Sequence, residues 1–175
     1  MNVEILDAII INSERHKEHN LRLTLFCQTG IRTAYATGAL KPTAKLKGAL
    51  QLFNVCEVGI AKTKITSAHL LQSGTNIARD INRFYLASDI CKSLLKLMRD
   101  CEPQECLSVF NLTKTAFEFL NNNQTPLHSV FIAYYSKLLK LLGYDSDELS
   151  VSAIRRAFAE HLDFALDFWQ KIDLP

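Results

Sequence analysis

The hydrophobic period of this chain changes once, near Ser73–Asn76, and that change constrains the fold more than any other feature. Before it, apolar residues recur every second position. Leu21, Leu23, Leu25 and Cys27 fall on one face of a strand, with Arg22, Thr24 and Gln28 on the other. After it they recur at three- and four-residue steps: Ile77, Ile81, Phe84, Cys91, Leu94, Leu95 and Met98. A chain that alternates and then turns helical builds sheet and helices as separate layers. The fold class is α+β, with a boundary near residue 72.

The alternating part divides into five short strands. Val3–Asn12 is followed by a polar loop, SERHKEHN, and the strand through Leu21–Cys27 turns at Gly30 into a third, Ile31–Thr37. Leu50–Ile60 and Ile65–Leu71 complete the set across the basic turn AKTK. Five short strands with turns about every ten residues suit a closed barrel, and the OB-fold is the five-stranded barrel that meets the description. Residues 1–72 are therefore assigned to an OB-fold nucleic-acid-binding domain and 73–175 to a helical bundle domain. Thr75 is the expected N-cap of a first helix running to Met98, and Pro103 opens the second. The Asn121–Gln124 run breaks that helix, Thr125-Pro126 opens a third ending at Gly143, and a last helix covers Val151–Lys171. That last helix would place Ile154, Phe158, His161, Leu162, Ala165 and Trp169 on one side.

With 48% hydrophobic residues the chain can bury a core, and its longest apolar runs fall well short of a membrane span. No secretory signal is evident at the N-terminus, so a cytoplasmic protein is expected. The five cysteines show no C-x-x-C spacing and are expected to be reduced and structural. His16 and His19, with Glu14 and Glu18, occupy the polar loop and fit a solvated turn better than a metal site. No nucleophile motif and no phosphate-cradling glycine loop is present, so neither catalysis nor ATP binding is expected.

Charge is uneven. Residues 1–83 hold 11 Lys or Arg against 6 Asp or Glu; residues 84–175 hold 9 against 12. Between Ile31 and Lys64 stand Arg32, Lys41, Lys45, Lys47, Lys62 and Lys64, with Glu57 as the only acid. Lysine is a point charge suited to phosphate rather than to bidentate base reading, so polyanion binding with little sequence preference is expected there. Tyr35 and Phe53 are the candidate stacking platforms, Phe53 more readily a core residue. In the helical half Phe131, Tyr134 and Tyr135 lie beside Lys137 and Lys140, a pattern suited to an acidic peptide with an apolar end.

Three segments resemble the RecO family, bacterial recombination mediators of the RecF pathway. They are AIII at Ala8–Ile11 followed by LTLF at Leu23–Phe26 with Gly30, TGALKPTAKLKGALQLF at Thr37–Phe53, and LLKLLGY at Leu138–Tyr144. Thr37, Leu40 and Thr43 stand where that family usually has basic residues, Leu52 where it has proline, and Ile132 where it often has arginine. The four-cysteine zinc motif that many members carry after LLGY is replaced by Asp145–Leu149, so no metal or cofactor is implied.

The resemblance implies a non-enzymatic protein that binds single- and double-stranded DNA and anneals complementary strands. It also implies binding of the acidic tail of single-strand binding protein (SSB) and of RecR, helping RecA replace SSB. Two rivals stand beside this: a protein-interaction adaptor with weak DNA affinity, and a small OB-type RNA-binding factor.

Overall fold

The protein is described by a computed structural model covering residues 2–99, 101–144 and 150–167. Five strands, β1 (Glu4–His16), β2 (Asn20–Cys27), β3 (Gly30–Ala36), β4 (Val55–Ala61) and β5 (Lys64–Gln72), close into a barrel in the order β1-β2-β3-β5-β4. All neighbours are antiparallel except β3 and β5, which meet in parallel at Tyr35 and Lys64. This is the OB topology. The first half of β1 pairs with β4 and the second with β2, a span made possible by a bulge at Ile11 between Ile10 and Asn12. Among the described residues five helices follow: α1 (Thr75–Arg79), α2 (Ile81–Leu97), α3 (Pro103–Asn121), α4 (Leu127–Leu141) and α5 (Val151–Leu162).

Several local expectations need correction. SERHKEHN is not a loop, because β1 continues to His16 and leaves only Lys17–His19 as the turn. The expected first helix is two: Asp80 adopts extended backbone and its carboxylate accepts hydrogen bonds from the Asn82 and Arg83 amides, starting α2 afresh. Thr75 is inside α1, whose N-cap is Gly74 without a side-chain cap. The last helix stops at Leu162, where Asp163 turns left-handed (φ 47°). Trp169 and the segment Asp145–Leu149 lie outside the described residues. Pro103 opens α3 as expected, and Gly143 (φ 83°) ends α4 in a Schellman cap. There the Tyr144 amide donates to the Leu139 carbonyl (2.9 Å) and Gly143 to Lys140 (3.1 Å).

Among the described residues two apolar clusters hold the fold together. One fills the barrel with inward residues such as Ala8, Ile10, Leu23, Leu25, Ala34 and Val58. The other unites the helices with the outside of the barrel through Ile9, Ile11, Phe26, Phe53 and Val55. Phe26 on β2 meets Phe110 on α3 (6.0 Å between centroids), and Phe53 meets Phe84 and Phe117 edge-on. Gly74, at the change of period, has no room for a side chain: a Cβ there would lie 2.7–2.8 Å from Phe53 atoms. The Gly74 amide instead donates to the Asn54 side chain (2.8 Å). Arg83, nearly buried, donates to the Leu120, Asn123 and Thr125 carbonyls and so fixes the α3–α4 turn.

Candidate nucleic-acid interface

Among the described residues, the helices cover only one end of the sheet formed by β1, β2 and β3. Ile9, Phe26 and Ile31 are cross-strand neighbours on the covered end. Further along the same strands the outward row is Asn12, Thr24 and Thr33, and then Glu14, Arg22, Tyr35 and Lys64. Ala34 and Ala36 point into the barrel, so Tyr35 between them points out and is half-exposed. Its ring packs against His16 (5.1 Å between centroids), and its amide donates to the Thr63 carbonyl (2.8 Å). The β1–β2 and β4–β5 turns thus meet on either side of Tyr35, the arrangement through which OB barrels hold oligonucleotides.

Both turns present a lysine in the left-handed region, Lys17 (φ 57°) and Lys62 (φ 58°). That backbone costs a residue with a Cβ about 1–2 kcal/mol, so turn geometry alone would favour Gly or Asn. The lysines bring charge where their backbone preference argues against them.

The β3–β4 loop explains the arrangement of Lys41, Lys45 and Lys47. Ala39, Ala49 and Leu50 are buried in the barrel cluster and Leu46 packs against it, so the loop stoppers the barrel mouth. The lysines between them are exposed. The start of the loop is tied to the β1–β2 turn: the Leu40 amide donates to the His19 carbonyl (3.0 Å) and Gly38 to the Asn20 side chain (2.9 Å). Its end is held by the Asn54 side-chain amide, which donates to the Ala49 carbonyl (2.9 Å). Lys41 is therefore placed beside the β1–β2 turn and the Tyr35 row.

Arg32 does not join this surface as a free charge. Its guanidinium donates to Glu4 (2.6 Å), which raises its pKa, and to the Thr29 hydroxyl (3.3 Å). Sequence spacing did not reveal this because Glu4 is 28 residues away on β1. Arg22, Lys17 and His16 were missed as site residues for a related reason: they precede the basic stretch. Arg22 is visible in β2 as a charge on the polar side of the alternation, and Glu14 accepts a hydrogen bond from it (3.3 Å). Phe53 is core, 1% exposed.

In the bundle, Phe131 is fully buried and packs on Tyr135 (4.8 Å), so it is not a surface contact for a partner. Tyr134 is also buried, its hydroxyl 3.2 Å from Thr113, and it forms part of the floor of a groove between α3 and α4. Leu112, Phe119, Ala133 and Lys137 line that groove, with Phe119 52% exposed. Lys140 is exposed but does not line it.

All five cysteines are free. Burial pushes the Cys27 thiol up to about 12 and Cys56 to about 11, and burial with Glu105 and Cys106 pushes Cys101 to about 12. These thiols are not activated nucleophiles. Among the described residues no helix is long and apolar enough to cross a membrane.

Fold and exposed face define an OB barrel with an open, basic-edged surface, carrying a helical bundle on its covered side. Residues 1–74 match the family model for the recombination protein O N-terminal region. The chain is also similar to the DNA repair protein RecO of Desulforamulus reducens, 26% identical over 152 residues, covering 84% of this chain and 58% of the relative. That of Caldanaerobacter subterraneus subsp. tengcongensis is 27% identical, covering 79% of this chain and 57% of the relative. That of a Thermoanaerobacter species is 28% identical with the same coverages. The chain is thus similar to RecO proteins over about four fifths of its length, and residues 1–74 to their N-terminal region. It spans a little over half the length of these curated relatives.

Proposed function

We propose that the chain is a non-enzymatic DNA repair and recombination mediator that lays a nucleic-acid strand across the open face of the barrel. One observation carries the reading. Tyr35 stands in a cross-strand row with Arg22 and Lys64, between two turns tipped by Lys17 and Lys62, on a face the helices leave open. A half-exposed aromatic accepts a base of any identity, and the lysines neutralise phosphates, so single strands bind without strong sequence preference. Lys41, Lys45 and Lys47 extend the charge onto the loop that closes the barrel, where duplex phosphates can lie as well. Holding two strands on such a surface is what annealing requires.

The α3–α4 groove supports a protein partner. Its apolar lining and the lysine at its edge suit the acidic SSB tail, while RecR binding and assistance to RecA are what the resemblance to RecO proteins implies. The residues offered to the tail are Tyr134 at the floor and Lys137 at the edge, with Lys140 nearby on α4.

The test is an anisotropy titration of labelled DNA at two salt concentrations. About five duplex phosphate contacts predict a several-hundred-fold loss of affinity between about 50 and 200 mM salt. Changing Lys41, Lys45 and Lys47 together to Glu is expected to abolish binding while leaving the thermal transition in place. Salt-insensitive binding, or full affinity in that variant, would overturn the assignment. The adaptor reading draws on the occupation of Arg32 by Glu4 and of Arg22 by Glu14, and it predicts weak binding in the same titration. A preference for RNA over DNA of the same sequence would favour the RNA-binding alternative.

A further inference from the structure

The open barrel face does not stop at β1. Asn12 lies in the row next to Glu14 and donates to it (2.8 Å). It also lines a cleft at the barrel–bundle junction together with Leu52, Ser88 and Lys92. A second cleft, lined by Lys92, Leu95, Lys96 and Arg99, shares Lys92 and Leu95 with the first and carries the depression along α2 and past its C-terminal end. Lys92 and Lys96, four residues apart, fall on one side of α2, and Arg99, just past its C-cap, lines the same cleft.

The counterions of this row are unusual. Lys92 faces Asp89 on its own helix (3.6 Å), but also Asp167 (3.8 Å). Lys96 faces Asp163 (3.7 Å), donates to the Asp163 backbone carbonyl, and sits 5.8 Å from the centre of the Phe164 ring. Asp163, Phe164 and Asp167 belong to the segment that leaves α5, which crosses back over α2. Leu166, 2% exposed, anchors it, and the Phe164 ring reaches Phe158 (6.4 Å). The segment thus lays two carboxylates, four residues apart, on a cationic row continuous with the proposed strand path.

We propose that Lys92, Lys96 and Arg99 form a second phosphate-binding site for single-stranded nucleic acid, and that the segment 163–167 is an acidic strap covering it. The inference rests on the barrel reading, since the row is useful to a strand already lying on β1–β3. The energetics allow exchange. Partly exposed ion pairs contribute little to stability, so phosphates arriving from a strand held at high local concentration can replace the carboxylates. With the strap in place the lysines merely trade one anion for another and add little to the salt dependence. With the strap neutralised they release counterions on binding.

The experiment compares the wild-type chain with Asp163→Asn/Asp167→Asn, using labelled DNA of about 30 nucleotides and an oligomer of about 8 that fills the barrel face alone. Asn is among the residues best tolerated in left-handed backbone, so the turn at 163 is retained. Expected is a gain of about tenfold in affinity for the long strand at 50 mM salt. The log-affinity slope against log salt should steepen by between about 0.7 and 1.4, at about 0.7 for each freed lysine, since Asp89 still faces Lys92. Adding Lys92→Gln/Lys96→Gln should remove both changes, and the short oligomer should be indifferent throughout. An unchanged slope and affinity in the Asp→Asn variant would overturn the proposal, as would a gain that survives loss of the two lysines. Failure of the barrel reading shows separately, as absence of binding to the short oligomer by the wild-type chain.

Discussion

The two ends of one sheet face, β1–β2–β3, have opposite fates. At the end carrying Ile9, Phe26 and Ile31 the outside of the barrel is sealed by α2 and α3 and is part of the helical core. At the other end Arg22, Thr24, Thr33 and Tyr35 stand on the same strands and face out. Strand β2 records the crossing in five residues: Leu23 and Leu25 are buried with Thr24 between them half-exposed, and then Phe26 and Cys27 are both buried. A strand that alternates is solvated on one side; a strand that stops alternating has acquired a second apolar neighbour. The helices thus fix where a ligand can lie by deciding which half of the face remains.

The sharpest way to break the contrast is to remove Phe26. Phe26→Ala should cost about 3–5 kcal/mol in denaturant unfolding, because its ring is fully buried between barrel and α3. A loss under 1 kcal/mol would mean the two layers are not one cooperative core. Next comes Gly74→Ala, where the added methyl meets the backbone of Phe53 as well as its Cβ. A loss of about 1–3 kcal/mol is expected, measured by thermal or chemical unfolding.

On the open end the signs separate stability from binding. Tyr35→Ala should weaken single-strand binding by about 1–3 kcal/mol in a titration while leaving unfolding much less affected than Phe26→Ala does. Lys62→Gly is expected to stabilise the fold by about 1 kcal/mol through its left-handed backbone, yet weaken DNA binding and flatten its salt dependence. Smallest is Arg32→Gln, for which affinity should hardly change because Glu4 already occupies that guanidinium. Glu4→Gln, which frees it, should tighten binding.

Much of the barrel was legible in the sequence because period-two alternation survives burial on one side. Gly30 at the β2–β3 turn and Gly143 at the end of α4 both adopt positive φ, as turn and cap positions demand. What could not be read was set by neighbours distant in sequence. Glu4 neutralises Arg32 from another strand, and Phe131 vanishes into a bundle whose packing faces the helical period does not distinguish from a ligand-facing stripe. The break at Asp80 escaped for a local reason: the apolar spacing of Ile77, Ile81 and Phe84 continues through it, while the N-cap depends on a side chain folding back on two amides. The proposed basic surface extends toward the N-terminus because β-pairing brings Arg22 and the Lys17 turn to Tyr35, which no linear window contains.

The loop that closes the barrel divides its own residues into those that must stay and those that can drift. Ala39, Leu46, Ala49 and Leu50 act as a stopper, and shortening the loop would uncork the interior. Thr37 and Thr43 lie on its exposed side, where exchanging a cation for a neutral residue leaves the seal intact. Under the proposed reading, the charge on the outside of the plug can change one position at a time without reopening the question of how the barrel folds.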